Sequence, residues 1–351
     1  MGDHKNDYDI QFAPSATHSE LLQNIRTALH GHPPLLTREF SEVSSNAPRN
    51  TSGCSKGDAD CQPARVRVMQ WNQLARALCQ GDDNFVKCPK EAFDWKSRRL
   101  HILEEILQYE PDIVCLEEVD QFDFFKSVLG SICYEGTFFP KPDSPCLSME
   151  ESYGPDGCAI FYNTNKLRSV SVQNFNLKMG NKSTNQVAII QQLQYCDSKN
   201  PRSAHEFYIG VTHLKSKVGW EETRRLQGQS LLEVLMEKAG SSPVILCGDF
   251  NAVPEEPVYS VFKNSQMGFD SAYTKLTGDG VEPLYTTWKI RGGKHSGEVC
   301  RTIDYVWYTK GTITVEKVLK FPTGEEIGPG RLPSVTYPSD HLSLVCDLSI
   351  H

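Results

Sequence analysis

One stretch decides the fold class of this chain, Ile245-Leu246-Cys247-Gly248-Asp249-Phe250-Asn251. The apolar run Val244–Cys247 is typical of a buried strand, and Gly248 lets the backbone enter a tight turn. Because alternate residues at a strand end project to the same side, Asp249 and Asn251 can face one pocket. A carboxylate that can take a proton, beside an amide that can bind a phosphate oxygen, suits metal-assisted phosphoester hydrolysis.

Length, composition and charge limit the kind of protein. The chain has 351 residues, 39% of them hydrophobic, and a formal net charge of −8. No apolar run approaches the roughly 20 residues of a membrane span, so we expect a soluble globular protein that does not bind membranes. The acidic balance argues against an open nucleic-acid-binding face, since phosphate backbones are normally met by a basic surface.

The first residues and the cysteines predict a cytosolic protein. The N-terminus lacks a signal-peptide core and a transit-peptide composition, and Asn6 stands where a myristoylation signal needs Ser or Thr. Twelve cysteines without a C-x-x-C pair indicate reduced thiols rather than disulfides or zinc. We therefore predict a cytoplasmic location and leave a mitochondrial or nuclear pool open.

Hydrophobic periodicity predicts mixed strands and helices from about Arg65 onward. Strands are predicted at Arg65–Trp71, Asp112–Val119, Gly157–Tyr162, Val187–Gln194, Glu206–Leu214, Pro243–Cys247, Thr302–Tyr308 and Leu342–Leu348, and helices at Asp94–Tyr109, Gln121–Leu129 and Trp220–Lys238. Many strands with few helices are typical of an α/β (α+β) fold in which helices flank a two-sheet β-sandwich. We expect one catalytic domain over residues 65–351.

Residues 1–64 are predicted to form an N-terminal extension. It contains one short helix, at about residues 19–30 with Ser19 as its cap, which stops before Pro33-Pro34. From about residue 41 to 64 the composition changes to Ser, Asn, Pro, Gly and Asp, which predicts a flexible linker.

Polar residues end or follow the apolar strands all along the chain. They are Trp71-Asn72, Glu117-Glu118, Thr212-His213, Asp249-Phe250-Asn251, Asp304 within the strand Thr302–Tyr308, and Ser339-Asp340-His341 ahead of the last strand. Polar groups at one end of a shared sheet can converge on a single cleft. We therefore predict one site for a metal ion and a phosphate.

Each of these residues, taken alone, also has a purely structural interpretation. Asn72 can cap a turn, Glu118 can be a solvated charge, and a lone histidine such as His213 can be packed in the core. Asp304 is different, because a buried carboxylate needs a partner. His341 is the natural candidate, so we predict that Asp304 orients His341 toward the phosphate.

The order of these motifs resembles the endonuclease/exonuclease/phosphatase superfamily from about Arg65 to the C-terminus. A finer resemblance, to a subfamily related to the CCR4-type deadenylases, rests on further motifs. These are Asp83–Val86, Gly136–Pro142, Gly154–Ala159, Thr184–Ala188, Tyr285–Arg291 and Tyr337–Leu344, with Ala28–His30 and Pro33-Pro34 ahead of the domain. The resemblance implies a four-layer, helix-flanked two-sheet β-sandwich with a Mg²⁺-dependent phosphoesterase site.

The resemblance also implies roles for the strand-end residues. Glu118 would bind Mg²⁺ with Asn72 close by, and Asp249 would activate or position the attacking water. Asn251 would hold that water or a phosphate oxygen, and the two histidines would stabilise charge on the phosphoryl group. The catalytic set is thus Asn72, His213, Asp249, Asn251, Asp304, Asp340 and His341, and the substrate-binding set is Lys141, Asn185, Lys215, Lys217 and Arg291.

Two positions depart from the family pattern. Glu117 stands where Gln is common, which adds a charge next to Glu118. Lys217 stands where Arg is usual, which weakens a bidentate phosphate contact there.

The substrate remains open between two classes of phosphoester. The resemblance implies a phosphatase that removes the 2′-phosphate of NADP⁺ and NADPH, with a role in circadian metabolic control. The alternative is a 3′-exoribonuclease acting on poly(A), against which the acidic charge counts. A non-catalytic scaffold would have lost site residues, but every expected polar group is present. We expect a monomer with a small-molecule substrate, RNA being the less favoured ligand.

Overall fold

The computed structural model of the chain describes residues 17–43, 62–79, 85–150, 152–196, 205–293 and 296–351. The helices are α1 (His18–Ala28), α2 (Trp95–Tyr109), α3 (Phe122–Gly130), α4 (Glu221–Ala239), α5 (Pro257–Lys263) and α6 (Gly324–Ile327). The strands are β1 (Phe40–Glu42), β2 (Ala64–Asn72), β3 (Ile113–Val119), β4 (Tyr134–Pro140), β5 (Gly157–Asn163), β6 (Leu167–Met179), β7 (Lys182–Tyr195), β8 (Glu206–His213), β9 (Val244–Asp249), β10 (Phe269–Ser271), β11 (Thr287–Arg291), β12 (Gly297–Arg301), β13 (Asp304–Thr309), β14 (Ile313–Leu319) and β15 (Leu344–Ile350).

The strands form two mixed sheets and one separate hairpin. The first sheet has seven strands in the order β1-β14-β15-β2-β3-β5-β4, and the second has six in the order β10-β13-β9-β8-β7-β6. β11 and β12 pair with each other, and Thr287 of β11 also forms an isolated bridge with His341. Each large sheet contains one parallel pair, β2 with β3 and β8 with β9. These two parallel pairs carry three of the predicted catalytic residues, which are Asn72 at the end of β2, His213 at the end of β8 and Asp249 at the end of β9.

Alternation along the strands builds the four layers. In β3, Ile113 and Cys115 lie in the core between the sheets, whereas Val114 and Leu116 lie in the core that α1, α2 and α3 cover. In β9, Ile245 and Cys247 face the other sheet, and Leu246 packs under α4 and α5. Full burial of such a side chain contributes about 1.5–3 kcal/mol. The predicted fold class, a two-sheet β-sandwich flanked by helices, is confirmed.

The described part of the N-terminal segment packs onto the large domain. Leu21 and Ile25 of α1 are fully buried in the core beside α2. β1 extends the first sheet through Phe40, which pairs with Leu319 of β14. The predicted Ser19 cap is wrong, because Thr17 caps α1 in a capping box with Glu20.

The predicted linker over residues 41–64 lies mostly outside the described residues, as do residues 83–84 of the quoted motifs. At its start, Ser41 and Glu42 belong to β1. The division of the chain at residue 64 therefore stays a prediction.

The ten described cysteines are all free thiols. Cys115, Cys247 and Cys346 are buried between the sheets, as their apolar strand positions predict. Over the described residues, no helix has both the length and the apolar character to cross a membrane.

Candidate active site

Strand register brings the predicted catalytic residues together. In the second sheet, the parallel pair β8 and β9 places His213 opposite Asp249, and the antiparallel pair β9 and β13 places Asp249 opposite Asp304. In the first sheet, Asn72 at the end of β2 lies opposite Glu117 of β3. Because parallel strands end at the same edge of a sheet, these polar ends meet in one cleft.

Asn72 joins the two sheets at this edge. Its Nδ2 donates to Glu118 Oε1 at 3.1 Å and to Asp249 Oδ2 at 3.0 Å. Its Oδ1 accepts from the backbone N–H of Leu74 at 3.0 Å. Asn72 is 1% exposed, so its amide is locked by these partners. The carboxylates of Glu118 and Asp249 are thereby held on either side of one amide group.

A bulge in β3 turns Glu118 out of the core. The pairing of β3 with β5 shifts register between Leu116 and Val119, and Glu118 has a φ of 55°. A non-glycine residue in this left-handed region costs about 1–2 kcal/mol. The conformation is supported by Glu118 Oε2, which accepts from Ala75 N at 3.2 Å, and by its carbonyl, which accepts from Gln73 Nε2 at 3.1 Å. Glu118 is consequently the half-buried carboxylate of the pair, and Glu117 the buried one.

His341 and Asp304 form a buried dyad, as predicted. His341 Nδ1 lies 2.9 Å from Asp304 Oδ2, which also accepts from Thr286 Oγ1 at 2.5 Å. Burial alone would lower the pKa of His341, but Asp304 and Asp340 raise it to about 9. The imidazole is thus cationic at neutral pH. Its Nδ1–H donates a hydrogen bond to Asp304, and its Nε2–H can donate to a ligand in the cleft.

Asp340 forms an ion pair with Lys289. Lys289 Nζ donates to Asp340 Oδ2, and both side chains are more than nine-tenths buried. Burial would raise the pKa of Asp340, but Lys289 and His341 lower it below its usual range. Asp340 Oδ2 also lies 3.8 Å from His341 Nε2. Asp340 is therefore an anion beside the dyad, and Lys289 is a buried cation next to the predicted site that the sequence did not indicate.

His213 is held neutral between Asp249 and Lys141. Its Nε2 lies 3.5 Å from Asp249 Oδ2, and its Nδ1 lies 3.4 Å from Lys141 Nζ. Burial, reinforced by the charges of Lys141 and His341, holds the pKa of His213 well below its usual range. A lysine ammonium can only donate, so its proximity favours the tautomer with the proton on Nε2.

Lys141 reaches the cluster through a second buried pair. Its Nζ donates to Asp156 Oδ2 at 2.6 Å, and Asp156 also accepts from Ser144 Oγ. Burial lowers the pKa of Lys141, but Asp156 and Glu118 raise it above its usual range. The structure thus brings this predicted substrate-binding cation into the catalytic cluster.

Asp249 is poised between two protonation states. It is 1% exposed, and burial together with the nearby Asp304 raises its pKa to about 6. Asp249 Oδ1 accepts from the backbone N–H of Asn251 at 2.8 Å. Asn251 has a φ of 51° and donates its Nδ2 to the carbonyl of Leu214 at 3.2 Å. β9 continues through Gly248 to Asp249, so the predicted turn does not begin at Gly248. Asp249 ends the strand as predicted, but Asn251 lies beyond it in the left-handed region, where strand alternation does not apply.

The other predicted substrate-binding residues lie around the cluster. Lys215 is partly exposed, and burial together with Lys217 and Lys141 lowers its pKa. Lys217 is exposed on the same loop. Arg291 lies near enough to contribute to the lowered pKa of Asp340.

Asn185 is the exception among these residues. Its side chain binds the backbone of Asp143 twice, from Asp143 N to Oδ1 at 2.8 Å and from Nδ2 to the carbonyl. The Asn185 amide therefore lies against the loop at Asp143 rather than among the predicted catalytic carboxylates.

Glu117 is a buried carboxylate with an incomplete set of partners. Its Oε2 accepts from Gln70 Nε2 at 2.8 Å, but its Oε1 has no hydrogen-bond partner among the described residues. Burial, followed by the charges of Asp304 and Asp249, raises its pKa well above its usual range. The sequence signal for this position was the departure from the family's Gln.

The donor set of the cluster fits a divalent cation. Asp249, Asp304 and His341 place ligand atoms within 4.8 Å of one another. A protonated His341 that already binds Asp304 cannot ligate a metal, so this trio is the weaker candidate. Glu118 and Asp249 instead offer carboxylate oxygens, which hard cations prefer, across the Asn72 amide.

Comparisons with known proteins agree with this geometry. Residues 69–341 match the model of the endonuclease/exonuclease/phosphatase family. The chain is similar to human nocturnin, with 48% identity over 334 residues that cover 94% of this chain and 73% of the relative. It is also similar to the Ccr4 3′-5′-exoribonuclease subunit of the CCR4-Not complex from Debaryomyces hansenii, with 28% identity over 75% of this chain and 36% of that protein.

A solved structure supports the same relationship. The human nocturnin catalytic domain with a bound sulfate anion superposes with a TM-score of 0.72 and 41% identity, covering 91% of this chain and 100% of that one. The family resemblance and its finer branch are therefore confirmed.

Proposed function

The chain belongs to the endonuclease/exonuclease/phosphatase family, in the branch that includes the nocturnins, and from that premise we propose a Mg²⁺-dependent NADP(H) 2′-phosphatase. The enzyme would hydrolyse the 2′-phosphate ester of NADP⁺ and NADPH to give NAD⁺, NADH and inorganic phosphate. The observation that carries the proposal is the cluster in which Asn72 bridges Glu118 and Asp249 beside a cationic His341.

Glu118 is the proposed Mg²⁺ ligand, with Asp249 and Asn72 next to it. A bound divalent cation would polarise the phosphoryl group and neutralise charge that develops on its oxygens. Glu118 is suited to this role because the β3 bulge leaves it half-buried and Asn72 fixes one of its oxygens.

His341 is the proposed donor to the phosphoryl group. Asp304 accepts the Nδ1 proton, so the Nε2 proton is the one that His341 can give to a phosphoryl oxygen. A preplaced donor of this kind stabilises the transition state without reorganisation. Neutral His213, with its proton on Nε2, would add a second hydrogen bond.

Asp249 is the proposed base for the attacking water. A pKa of about 6 leaves the carboxylate mostly ionised at neutral pH but still basic enough to accept a proton. The bond from Asn251 N to Asp249 Oδ1 fixes the carboxylate orientation, so Asp249 Oδ2 is the oxygen nearer to both histidines.

Enclosed cations support a small phosphorylated substrate. Lys141 and Lys289 are 8% and 6% exposed, in a chain whose formal net charge is −8. Lys215, Lys217 and Arg291 would add charge at the rim. A compact group of cations inside an acidic protein suits a small dianion better than a long polyanion, which normally needs an extended basic face.

Phosphate release from NADPH, NADP⁺, coenzyme A and short poly(A), measured side by side with Mg²⁺, tests the proposal. We expect release from NADP⁺ and NADPH, and a loss of at least about a hundredfold in Glu118→Ala. Glu110→Ala, which removes an exposed carboxylate at the end of α2, should keep full activity. Inactivity toward both NADP⁺ and NADPH by folded protein would overturn it.

A 3′-exoribonuclease acting on poly(A) is the second candidate, favoured by the similarity to the Ccr4 subunit. A denaturing gel would show progressive shortening of poly(A) at low enzyme concentration if this candidate is right. The same residues would then act on a phosphodiester.

We also propose a cytoplasmic monomer and, from the resemblance to the nocturnins, a role in circadian metabolic control. Light scattering after size-exclusion chromatography tests the oligomeric state. Cell fractionation tests the cytoplasmic location, and protein abundance followed over a day tests the circadian role.

A further inference from the structure

A cavity of about 310 Å³ lies beside α2. Its walls come from the segment after α1, from residues 91–101 and from residues 334–338. His32, Glu91, Arg98, His101, Ser334 and Pro338 are among the residues that line it. None of them belongs to the predicted catalytic or substrate-binding sets.

Arg98 is buried in the wall of this cavity and uses only part of its guanidinium. It is 2% exposed, and its Nη1 donates to the carbonyls of Gln73 at 3.1 Å, Leu74 at 2.8 Å and Pro338 at 3.1 Å. Its Nε and Nη2 have no hydrogen-bond partner among the described residues. Buried donors are almost always paired in native proteins, so two unpaired nitrogens on one guanidinium indicate a missing partner.

The two unpaired nitrogens share one edge of the guanidinium. Nε–H and one N–H of Nη2 run nearly parallel, and this edge forms the bidentate contact with carboxylates and phosphates. The Cζ atom of Arg98 lies 5.0 Å from the centroid of the Trp95 ring, which keeps the plane of the group in place. The unpaired edge of Arg98 therefore has the geometry to donate two parallel hydrogen bonds to one oxyanion.

His101 adds a second unpaired nitrogen to the same wall, Nε2, which donates when the ring carries a proton there. It is 5% exposed, its Nε2 has no hydrogen-bond partner among the described residues, and its Nδ1 lies 3.4 Å from Glu104 Oε2. One carboxylate of the wall, exposed Glu91, opposes an anion. Pro33, Ala92 and Val335 supply apolar surface.

We propose that this cavity binds a small organic anion, whose carboxylate or phosphoryl group pairs with the Nε and Nη2 edge of Arg98 and with His101. The volume is at the low end for small-molecule sites, and the apolar wall suits a ligand with a short carbon body. The anion would bind the residue whose other edge holds the loops after Asn72 and before Ser339. This site does not depend on the proposed NADP(H) phosphatase activity.

A crystal soak locates the anion. Crystals of the full chain soaked in sodium selenate should show an anomalous peak beside Arg98, and Arg98→Lys crystals should lack that peak but keep any peak at the catalytic cluster. Lys keeps the charge but has no side-on edge. Selenate at the catalytic cluster only, or an Arg98 peak that persists in Arg98→Lys, would overturn the proposal.

Solution titrations distinguish the two head groups. Benzoate and phenylphosphonate, followed by thermal shift, represent a carboxylate and a non-hydrolysable phosphoryl ligand. We expect at least one to bind, about tenfold more weakly in Arg98→Lys, and more tightly in Glu91→Gln. Lys238→Ala, which removes an exposed cation at the end of α4, should not change the affinity.

His101→Gln keeps the test decisive if Arg98→Lys does not fold. It should weaken the binding of the same ligand severalfold. If affinity is unchanged in both His101→Gln and Glu91→Gln, or if neither ligand binds the wild-type chain, the cavity is not an anion site.

Discussion

The pKa of Asp249 lies below neutral pH and that of His341 lies above it. These two residues therefore determine how the rate of phosphate release should depend on pH. The proposed mechanism needs ionised Asp249 and protonated His341. We therefore predict that kcat/KM for NADPH rises as the pH passes about 6 and falls as it passes about 9. Phosphate release measured from pH 5 to 10 checks this.

Asp304→Asn is the matched variant for this profile. Asp304 raises the pKa of both His341 and Asp249, so its loss should move both limbs of the profile to lower pH. We expect the maximal rate to fall by about a hundredfold, since His341 also loses its orienting partner. If neither limb of the pH profile moves in Asp304→Asn, the limbs do not belong to Asp249 and His341.

Glu117 predicts a pH-dependent loss of stability. The folded state keeps a proton on Glu117 where the unfolded chain, with an ordinary pKa near 4.5, releases it. Stability from the neutral carboxyl is present below that pH and is lost as the pH rises. Because Gln does not titrate, Glu117→Gln should have a free energy of unfolding about 1–3 kcal/mol above wild type at pH 8. Urea unfolding at pH 8 and pH 5 should show the difference shrinking at the lower pH.

Glu105 provides the control for that variant. It is as buried as Glu117, and its Oε2 likewise has no hydrogen-bond partner among the described residues. Its Oε1, however, accepts from Arg38 Nη2 at 2.5 Å, Tyr337 at 3.0 Å and Ser343 at 2.8 Å. Glu105→Gln should cost about 3–5 kcal/mol because it leaves Arg38 buried without its anion. Equal effects of the two variants would show that partner number does not decide the outcome.

Local sequence predicts strand-end residues well and long-range ion pairs poorly. Asp249 could be placed from the end of an apolar strand, and the Asp304–His341 pair from the need of a buried carboxylate for a partner. Strand alternation could not place Asn251, because it lies beyond β9 with a φ of 51°. Lys289 could not be placed, because its partner Asp340 is 51 residues away and no local pattern links them. The conformation of Glu118 depends on a bulge that its own sequence does not signal.

At the scale of elements, Arg224 of α4 controls the loop that carries two predicted substrate contacts. It is 1% exposed, and its Nη1 donates to the carbonyls of Lys215 at 2.9 Å and Lys217 at 2.8 Å. Its Nε donates to Glu256 at 2.8 Å. Arg224→Lys cannot make all three contacts, so we predict that KM for NADPH rises about tenfold with a smaller change in kcat.

Arg225→Lys is the neighbouring control. Among the described residues, Arg225 hydrogen-bonds only to exposed Glu222, at 2.6–2.7 Å, and surface pairs of this kind contribute little. Its steady-state kinetics with NADPH should match those of wild type. A fall in kcat at constant KM for Arg224→Lys would instead mean that the loop acts on the chemistry.

Elements with clear sequence boundaries were predicted within one or two residues. Asp94 caps α2, and the helix stops before Pro111. The edge strands β4 and β6 were missed because one side of each lacks a neighbour and their residues are largely accessible. Such strands lack the apolar pattern that buried strands show.

For the whole molecule, the N-terminal segment is attached to the domain by contacts between distant residues. Arg38 Nη1 donates to the carbonyl of Ser343 at 2.9 Å across 305 residues, two positions after His341. His18 Nε2 lies 2.7 Å from the carbonyl of Leu107, 89 residues away. In the sequence, the polar stretch from about residue 41 to 64 resembles a domain boundary. The contacts of Arg38 and His18 could not be predicted, because local sequence patterns carry no information about partners so far along the chain.

The packing of α1 therefore predicts a stability effect far from the catalytic cluster. Ile25 is fully buried against α2, so Ile25→Asp should cost about 3–5 kcal/mol, through lost apolar burial and an unpaired buried charge. Asn24→Asp, on the exposed side of the same helix, should change the free energy of unfolding by less than about 0.5 kcal/mol. Urea unfolding gives both values, and NADPH hydrolysis per folded molecule should be unchanged in each. If Ile25→Asp melts like Asn24→Asp, α1 does not contribute to the core; if its activity per folded molecule also falls, α1 instead reaches the site through α2 and Arg38.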